Sequence, residues 1–169
     1  MAQSQNSASL FQTDALQHLS NARFAIVHTE WNDRIVAEQI KGCERMAEAF
    51  GASIIDKISV PGSFELPFGC KRLWNHYELV SAEMQPEAII AFGAVIRGGT
   101  PHFDYVCKAV TDGILQLNLT LPIPVIFGVL TLDNDEQAWE RLGGKHGHKG
   151  EEAALTALKM ISLCRSKGC

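Results

Sequence analysis

Nine consecutive residues without a charged or polar side chain, Ala88–Ile96, constrain the fold of this 169-residue chain more than any other segment. Such a run is typical of a β-strand that is buried on both faces. It leads through Arg97–His102 into a helical pattern whose apolar face holds Phe103, Val106, Cys107, Val110, Ile114 and Leu117. The two glycines, Gly98 and Gly99, are therefore predicted at a strand-to-helix turn, where free backbone N–H groups and the helix dipole favour anions.

The same alternation of strand and helix extends along the chain. Apolar runs predict strands at residues 24–28, 53–60, 88–96 and 124–131. Spacings of three and four predict helices at 33–50, 66–80, about 134–142 and about 150–165, besides the one after His102. This order predicts the α/β class, with right-handed crossovers and a four-stranded parallel sheet covered by helices on both faces. Ligands of such sheets bind beyond the carboxyl ends of the strands.

Composition and charge exclude several classes of protein. With 15 basic and 19 acidic residues the net charge is −4, and no basic stripe with interleaved aromatics suits a nucleic acid. The first 21 residues are polar and unlike a signal peptide, and no apolar run is long enough to span a bilayer. We expect a cytoplasmic protein without a nucleic-acid or membrane partner, made of a polar segment 1–21 and a single domain 22–169.

Five cysteines stand at positions 43, 70, 107, 164 and 169 and form neither a C-x-x-C pair nor a metal-binding spacing. Cys43, Cys70 and Cys107 fall on the apolar faces of predicted helices, so we expect buried, reduced thiols.

The turn before the third helix carries the first candidate residues. Thr100 and Pro101 suit an N-cap and a first helical position. His102 would then lie near the positive helix end, which disfavours imidazolium and leaves a neutral ring able to accept a proton. A tight turn that needs glycine, followed by a histidine exposed by chance, is the alternative interpretation.

Aromatic residues beside polar ones follow the first two strands. Trp31-Asn32 and Ser63-Phe64-Glu65 would suit a flat heterocycle with a hydroxylated tail, and Phe127 in the fourth strand adds another ring. For each aromatic taken singly, core packing is the competing interpretation.

A glycine-rich basic segment, residues 143–150, follows Arg141. It is not a P-loop, because His146 follows Gly144-Lys145 and no glycine stands five residues before Gly144. His146 and His148 lack a partner carboxylate or cysteine at metal-ligand spacing. Two interpretations stay open: a solvated basic loop, or a phosphate clamp formed by Arg141.

Five blocks taken together resemble the lumazine synthase family. They are residues 31–33, 60–65, 93–107, 124–131 and 140–150, and they occur in the family's order between about 22 and 165. The resemblance implies a flavodoxin-like, three-layer αβα sandwich that assembles into pentamers.

The resemblance also implies a transferase reaction of riboflavin biosynthesis. In it 5-amino-6-ribitylamino-uracil condenses with 3,4-dihydroxy-2-butanone 4-phosphate to 6,7-dimethyl-8-ribityllumazine, with loss of phosphate and water. Neither a metal nor an organic cofactor is implied.

By the same resemblance, site residues can be assigned to roles. His102 matches the proton shuttle, and Gly99 and Thr100 bind the phosphate together with Arg141. Phe127 is a ring wall supplied by a neighbouring subunit, and Lys149 lies near the phosphate. The residues that contact the pyrimidine and its ribityl chain are Trp31, Asn32, Ser63, Phe64, Glu65, Val95 and Ile96.

Two departures from the family pattern stand out. Pro101 replaces a second threonine of many relatives, which leaves the phosphate to backbone N–H groups and Thr100. The segment 74–86 is longer and more polar, and we assign it no function.

The resemblance leaves the size of the assembly open, because relatives stop at the pentamer or build decamers or sixty-subunit shells. It also makes riboflavin synthase a candidate partner.

Two other functions are weighed against this one. An archaeal-type riboflavin synthase dismutates two lumazines and uses no phosphate, so Arg141 beside the Gly99-Thr100 loop speaks against it. A non-catalytic flavin-binding or shell protein is the other alternative, and the retention of His102 and Arg141 speaks against that.

Overall fold

The computed structural model describes residues 19–168, so the prediction for the N-terminal segment 1–21 lies almost wholly outside the described residues. Four strands alternate with helices in chain order: β1 (Arg23–Thr29), α1 (Asp33–Phe50), β2 (Ser53–Val60), α2 (Leu66–Tyr77), β3 (Ala88–Ile96), α3 (His102–Thr120), β4 (Val125–Leu132). A short helix, a hairpin and a long helix complete the described part: α4 (Asp135–Trp139), β5 (Leu142–Gly144), β6 (Gly147–His148), α5 (Lys149–Lys167).

The four long strands form one parallel sheet in the order β2-β1-β3-β4. The predicted α/β class and four-stranded parallel sheet are confirmed. The order reverses direction between β1 and β3, which is the flavodoxin-like arrangement of a doubly wound sheet.

The apolar run of β3 is explained by two hydrophobic cores, one on each face of the sheet. Ile90 and Phe92 face the core formed with α1 and α5. Ile89 and Ala91 face the core formed with α2 and α3. Residues 88–94 of this strand are all buried, so every position of the strand must be apolar or small. The three-layer αβα sandwich follows from this burial on both sides.

Several predicted boundaries are wrong for local reasons. α2 ends at Tyr77 rather than at Val80, because the Val80 N–H bonds back to the Tyr77 carbonyl in a tight turn. Between the predicted helix 66–80 and the predicted strand 88–96, Ala82–Met84 form a 3₁₀ turn. α4 stops at Trp139 rather than near 142, because Leu142 pairs with His148 in the hairpin, which the sequence did not predict.

Two of the three predicted buried thiols are confirmed. Cys43 and Cys70 are free and buried, and desolvation raises the pKa of each to about 12. Cys107 is only half-buried. Among residues 19–168, no helix is both long and apolar enough to cross a membrane.

Gly69 lets α2 lie directly on the sheet. A Cβ at this position would lie 2.7 Å from Val60 Cγ1 and 2.9 Å from Val27 Cγ1. Both valines belong to the core on this face, so neither has room to move away. The helix can approach β1 and β2 this closely only without a side chain at residue 69.

We therefore expect Gly69→Ala to lower the free energy of unfolding. Overpacking costs about 1–3 kcal/mol, which outweighs the helix propensity gain of at most about 1 kcal/mol. Urea denaturation of both proteins measures the difference. Gly98→Ala is the matched control, because a Cβ there meets no atom within 4 Å. A Gly69→Ala protein as stable as the wild type would contradict this account of the packing.

An ion-pair network ties the start of β3 to both ends of the described chain. Arg165 of α5 contacts both carboxylate oxygens of Glu87, at 2.7 and 2.8 Å. The Arg23 backbone N–H donates to Glu87 Oε2 at 3.0 Å. Burial opposes ionisation of this carboxyl group, but the hydrogen bonds from Arg165 and Arg23 outweigh it and lower the pKa of Glu87 below its usual value.

This lowered pKa predicts a pH-dependent contribution to stability. Because the folded-state pKa lies below the unfolded one, the contribution is present at neutral pH and is lost as the pH falls below 4.5. Glu87→Gln should cost about 1.5–3 kcal/mol at pH 7, the range of a hydrogen bond to a charged group. Thermal unfolding across pH 3–7 (roughly the carboxyl titration range) should show the deficit shrinking in acid. Glu83→Gln, at an exposed position, is the control, and a pH-independent deficit would refute the linkage.

Candidate active site

A cleft of about 520 Å³ opens at the carboxyl ends of β1, β2 and β3, beside the first turn of α3. Doubly wound sheets bind ligands at this place, where the strand order reverses. Eight of the predicted site residues line it: Trp31, Asn32, Ser63, Phe64, Glu65, Val95, Ile96 and His102. Gly62, Ala94 and Val106 line it as well, and sequence reasoning missed them because small and apolar residues carry no chemical signal.

Asn32 fixes the β1 side of this cleft. Its backbone adopts the left-handed conformation, with φ 58°, which asparagine tolerates better than most residues. Its Nδ2 donates to the Ala94 carbonyl of β3 at 2.8 Å, so the amide is tied to the neighbouring strand. Trp31, the residue before it, leaves its ring 74% exposed. The aromatic face is thus presented to the cleft on a fixed backbone.

The turn after β2 packs directly on β3. Ser63 is buried, and a Cβ placed on Gly93 would lie only 2.8 Å from its Oγ. A Cβ on Gly62 would lie 3.1 Å from Glu65 Oε2 and 3.7 Å from Trp31 Cδ1. Gly62 therefore leaves room for the glutamate and the indole to sit side by side.

Arg97 braces the loop that follows β3. Its Nε lies 3.2 Å from Asp133 Oδ1, and its Nη1 lies 3.3 Å from Asp104 Oδ1. Its guanidinium stacks over the Phe103 ring at 4.0 Å. The loop is thus held from β4 and from the first turn of α3 at once. These contacts of Arg97 could not be predicted from the sequence. Asp133 is distant along the chain, and Asp104 and Phe103 fit an ordinary helical pattern.

The predicted cap of α3 is displaced by one residue. The helix begins at His102, so Pro101 and not Thr100 holds the N-cap position, and no side chain caps the helix. Within residues 19–168, no group accepts a hydrogen bond from the backbone N–H of Gly98, Gly99 or Thr100. These three donors lie exposed in front of a 19-residue helix. Gly99 and Thr100 are not among the residues that line the first cleft, although Ile96 and His102 on either side of their loop are.

A second cleft, of about 220 Å³, lies along β4 and holds the remaining predicted residues, Phe127, Arg141 and Lys149. Arg141 Nη1 donates to the Gln137 carbonyl at 2.9 Å. Lys149 Nζ lies 2.7 Å from both carboxylate oxygens of the buried Glu152. Lys149 is therefore an ion-paired ammonium group with a fixed position, and Glu152 is a residue that sequence reasoning missed.

The second cleft runs along β4 from Thr131, beside the level of the first cleft, down to Phe127. Thr131 pairs with Val95 of the first cleft, whereas Phe127 pairs with Ala91, four residues earlier along β4. At about 3.3 Å a residue, Phe127 lies ~13 Å below that level. One chain therefore does not bring Phe127 to the rings of Trp31 and Phe64.

The glycine-rich segment 143–150 forms a hairpin and the start of α5, and most of residues 143–147 are exposed to solvent. Gly143 and Gly147 have positive φ values of 107° and 73°, and the Lys149 N–H donates to the Arg141 carbonyl at 2.8 Å. His148 is buried, and its ring fills the space over Gly42. In the described part of the chain, no three His, Cys, Asp or Glu side chains group as a metal site.

The fold and the first cleft define an α/β protein of flavodoxin-like topology that holds a small molecule at the switch point of its sheet. The sequence profile of one family, 6,7-dimethyl-8-ribityllumazine synthase, matches residues 21–165. The chain belongs to this family of transferases, whose reaction is part of riboflavin biosynthesis.

Individual relatives agree with the family match. The chain is 44% identical over 166 residues to the 6,7-dimethyl-8-ribityllumazine synthase of Parabacteroides distasonis, which covers 96% of this chain and 99% of the relative. It is 43% identical to that of Christiangramia forsetii, with 96% and 95% covered. It is 46% identical to that of Bacteroides fragilis, with 83% and 95% covered.

Proposed function

We propose that the chain condenses 5-amino-6-ribitylamino-uracil with 3,4-dihydroxy-2-butanone 4-phosphate at a site completed by a second copy of itself. The products are 6,7-dimethyl-8-ribityllumazine, phosphate and water, and the step is the penultimate one of riboflavin biosynthesis. The observation that carries the proposal is the convergence of residues from three strand ends and α3 on one cleft. A cytoplasmic location, where Cys43 and Cys70 stay reduced, and riboflavin synthase as a partner belong to the same proposal.

In this proposal the first cleft binds the pyrimidine. The exposed rings of Trp31 and Phe64 stack on the flat heterocycle. The backbone groups of Val95 and Ile96, at the free end of β3, hydrogen-bond its edge. The polar side chains of the cleft bind the hydroxyl groups of the ribityl chain; they are Asn32, Ser63 and Glu65.

The phosphate lies at the amino end of α3. Its oxygens accept hydrogen bonds from the unpaired N–H groups of Gly99 and Thr100, and the helix dipole favours its negative charge. Pro101 contributes no N–H group. A second positive charge comes from Arg141 of a neighbouring copy, with Lys149 close by.

His102 moves the protons of the reaction. The amine of the pyrimidine attacks the ketone, and loss of water gives an imine. A proton leaves carbon as the phosphate group departs, and the resulting enol tautomerises. The second nitrogen then closes the ring, with loss of the second water. His102 lines the first cleft beside the phosphate loop, in position to accept and return these protons.

The second copy is needed because the register of β4 keeps Phe127 of the same chain away from the rings of Trp31 and Phe64. The walls of the second cleft come from the edge strand β4 and from Arg141 and Lys149, the residues on either side of the hairpin. A closed ring of subunits, each pairing its first cleft with the next subunit's second cleft, completes every site. We propose a homopentamer or a multiple of it, and sedimentation of the purified protein distinguishes pentamer, decamer and sixty-subunit shell.

The reaction itself is tested by mixing both substrates with the purified protein. Lumazine absorbance and free phosphate should rise together in equal amounts, because one phosphate leaves for each ring formed. Heat-denatured protein corrects for the uncatalysed condensation. Absorbance without phosphate release would contradict the proposed reaction, and neither signal with intact ligand binding would favour a binding protein.

His102→Ala should slow turnover without abolishing it. A general acid–base contributes about 10²–10⁴-fold, whereas alignment of two bound substrates contributes more. The exposed position of His102 makes a folding defect unexpected. The measurement is kcat with both substrates saturating, and His76→Ala, an exposed position in the last turn of α2 and outside the cleft lining, is the control. A folded, ligand-binding variant with no activity at all would contradict the larger contribution of substrate alignment.

Subunit mixing should restore activity between two variants that fail separately. Trp31→Ala damages the first cleft and Arg141→Ala damages the second. Random co-assembly of equal amounts leaves about one quarter of the sites with both halves intact, because each site draws on two subunits. The readout is lumazine formation after joint unfolding and refolding, with separately refolded proteins as the control. No recovery in a mixed oligomer would show that each site lies within one chain.

A further inference from the structure

We propose that Gln39 is a positioning residue for the second cleft: its amide fixes the backbone of β4 beside Phe127. The inference rests on the proposed function, in which Phe127 forms a wall of the pyrimidine site. Gln39 lies in the middle of α1 with 1% of its surface exposed. Its Nε2 donates to the Gly128 carbonyl of β4 at 2.6 Å, across 89 residues of chain.

The other half of this amide has no partner. Gln39 Oε1 is buried and accepts no hydrogen bond from the described residues. An unpaired buried acceptor costs free energy, so stability alone would favour an apolar side chain of the same length. What the amide supplies is a directed hydrogen bond to one carbonyl of β4.

Glycines hold this contact in place. A Cβ on Gly150 would lie 2.0 Å from the Gln39 carbonyl oxygen, so the start of α5 touches the backbone of α1. A Cβ on Gly128 would lie 2.6 Å from Phe92 Cδ1. The first contact fixes the backbone of α1 at Gln39 against α5, and the second packs Gly128 of β4 against the Phe92 ring.

β4 needs such a constraint because it is an edge strand. In the described part of the chain it pairs only with β3, and its residues 127–131 form the wall of the second cleft. Gly128 has no side chain that packing could hold. Gly128 pairs with Phe92 of β3, and the hydrogen bond from Gln39 adds a second constraint on its peptide group. In this proposal that added constraint sets the direction in which the neighbouring Phe127 points its ring.

The proposal predicts a selective kinetic effect. Gln39→Met keeps the length of the side chain but removes the donor. Its KM for 5-amino-6-ribitylamino-uracil should rise about three- to tenfold, the equivalent of one hydrogen bond. Its KM for the butanone phosphate should change much less, because Gly99, Thr100 and Arg141 are left in place. Val36→Ala, in the core on the same helix, is the control for simple destabilisation and should leave both KM values unchanged.

Gln39→Glu provides the rescue. A neutral carboxylic acid can donate to the Gly128 carbonyl, whereas a carboxylate cannot. Desolvation favours the neutral form of a buried acid, so the pyrimidine KM, as a ratio to wild type, should approach one in acid and rise with pH. The ratio of the variant's KM to the wild-type KM removes the effect of ionisable neighbours, because these are present in both proteins. On α1, β6 and α5 they are Glu38, Arg45, His148, Lys149, Glu151 and Glu152.

Amide hydrogen exchange decides the inference independently of activity. Residues 127–131 should exchange faster in Gln39→Met than in wild type, and wild-type rates should return in Gln39→Glu at low pH. If the wild type makes no lumazine, the proposed function fails while this exchange result still stands. Unchanged exchange and an unchanged pyrimidine KM in a folded Gln39→Met protein would overturn the role of Gln39, as would an equal rise of both KM values.

Discussion

Burial of β3 on both faces is the constraint on which the rest of the structure depends. Its side chains enter one core through Ile90 and Phe92 and another through Ile89 and Ala91. A strand in that position must have a partner on each edge and helices above and below. The parallel sheet that results places the ends of β1, β2 and β3 at one edge, and the cleft forms there. The polar residues that follow these strands lie at this edge, and several of them line the cleft.

The sequence predicted the central features of the fold because they depend on periodicity and burial. The pattern of Ala88–Ile96 indicated the central strand, and the three-four spacing of apolar residues indicated a helix at 33–50, which is α1. The hairpin around residues 143–150 was missed, since three- and two-residue strands carry no period and its glycines suit a loop equally well. The cap of α3 was displaced because Thr100-Pro101 fits two neighbouring registers equally well on local preference alone.

Residues at strand ends that could contact a ligand could be predicted from the sequence. The buried residues that hold the site's backbone and side chains in place could not. Trp31, Phe64 and His102 could be identified as site residues because each is an aromatic or a titratable residue that follows a predicted strand. Gln39 and Glu152 act from within helical patterns, where a buried polar residue looks like any other helical position. Only the three-dimensional structure shows that these two residues hold the Gly128 carbonyl and the Lys149 ammonium group in place.

In the proposed assembly each site is completed by a second copy of the chain. A crystal structure of the assembled protein with phosphate and a ribityl-pyrimidine analogue tests this arrangement most directly. We expect the pyrimidine ring between Trp31 and Phe64 of one chain and Phe127 of the next, with phosphate between Gly99-Thr100 and the neighbour's Arg141. A ligand held wholly within one chain, with Phe127 and Arg141 of every copy facing solvent, would contradict it.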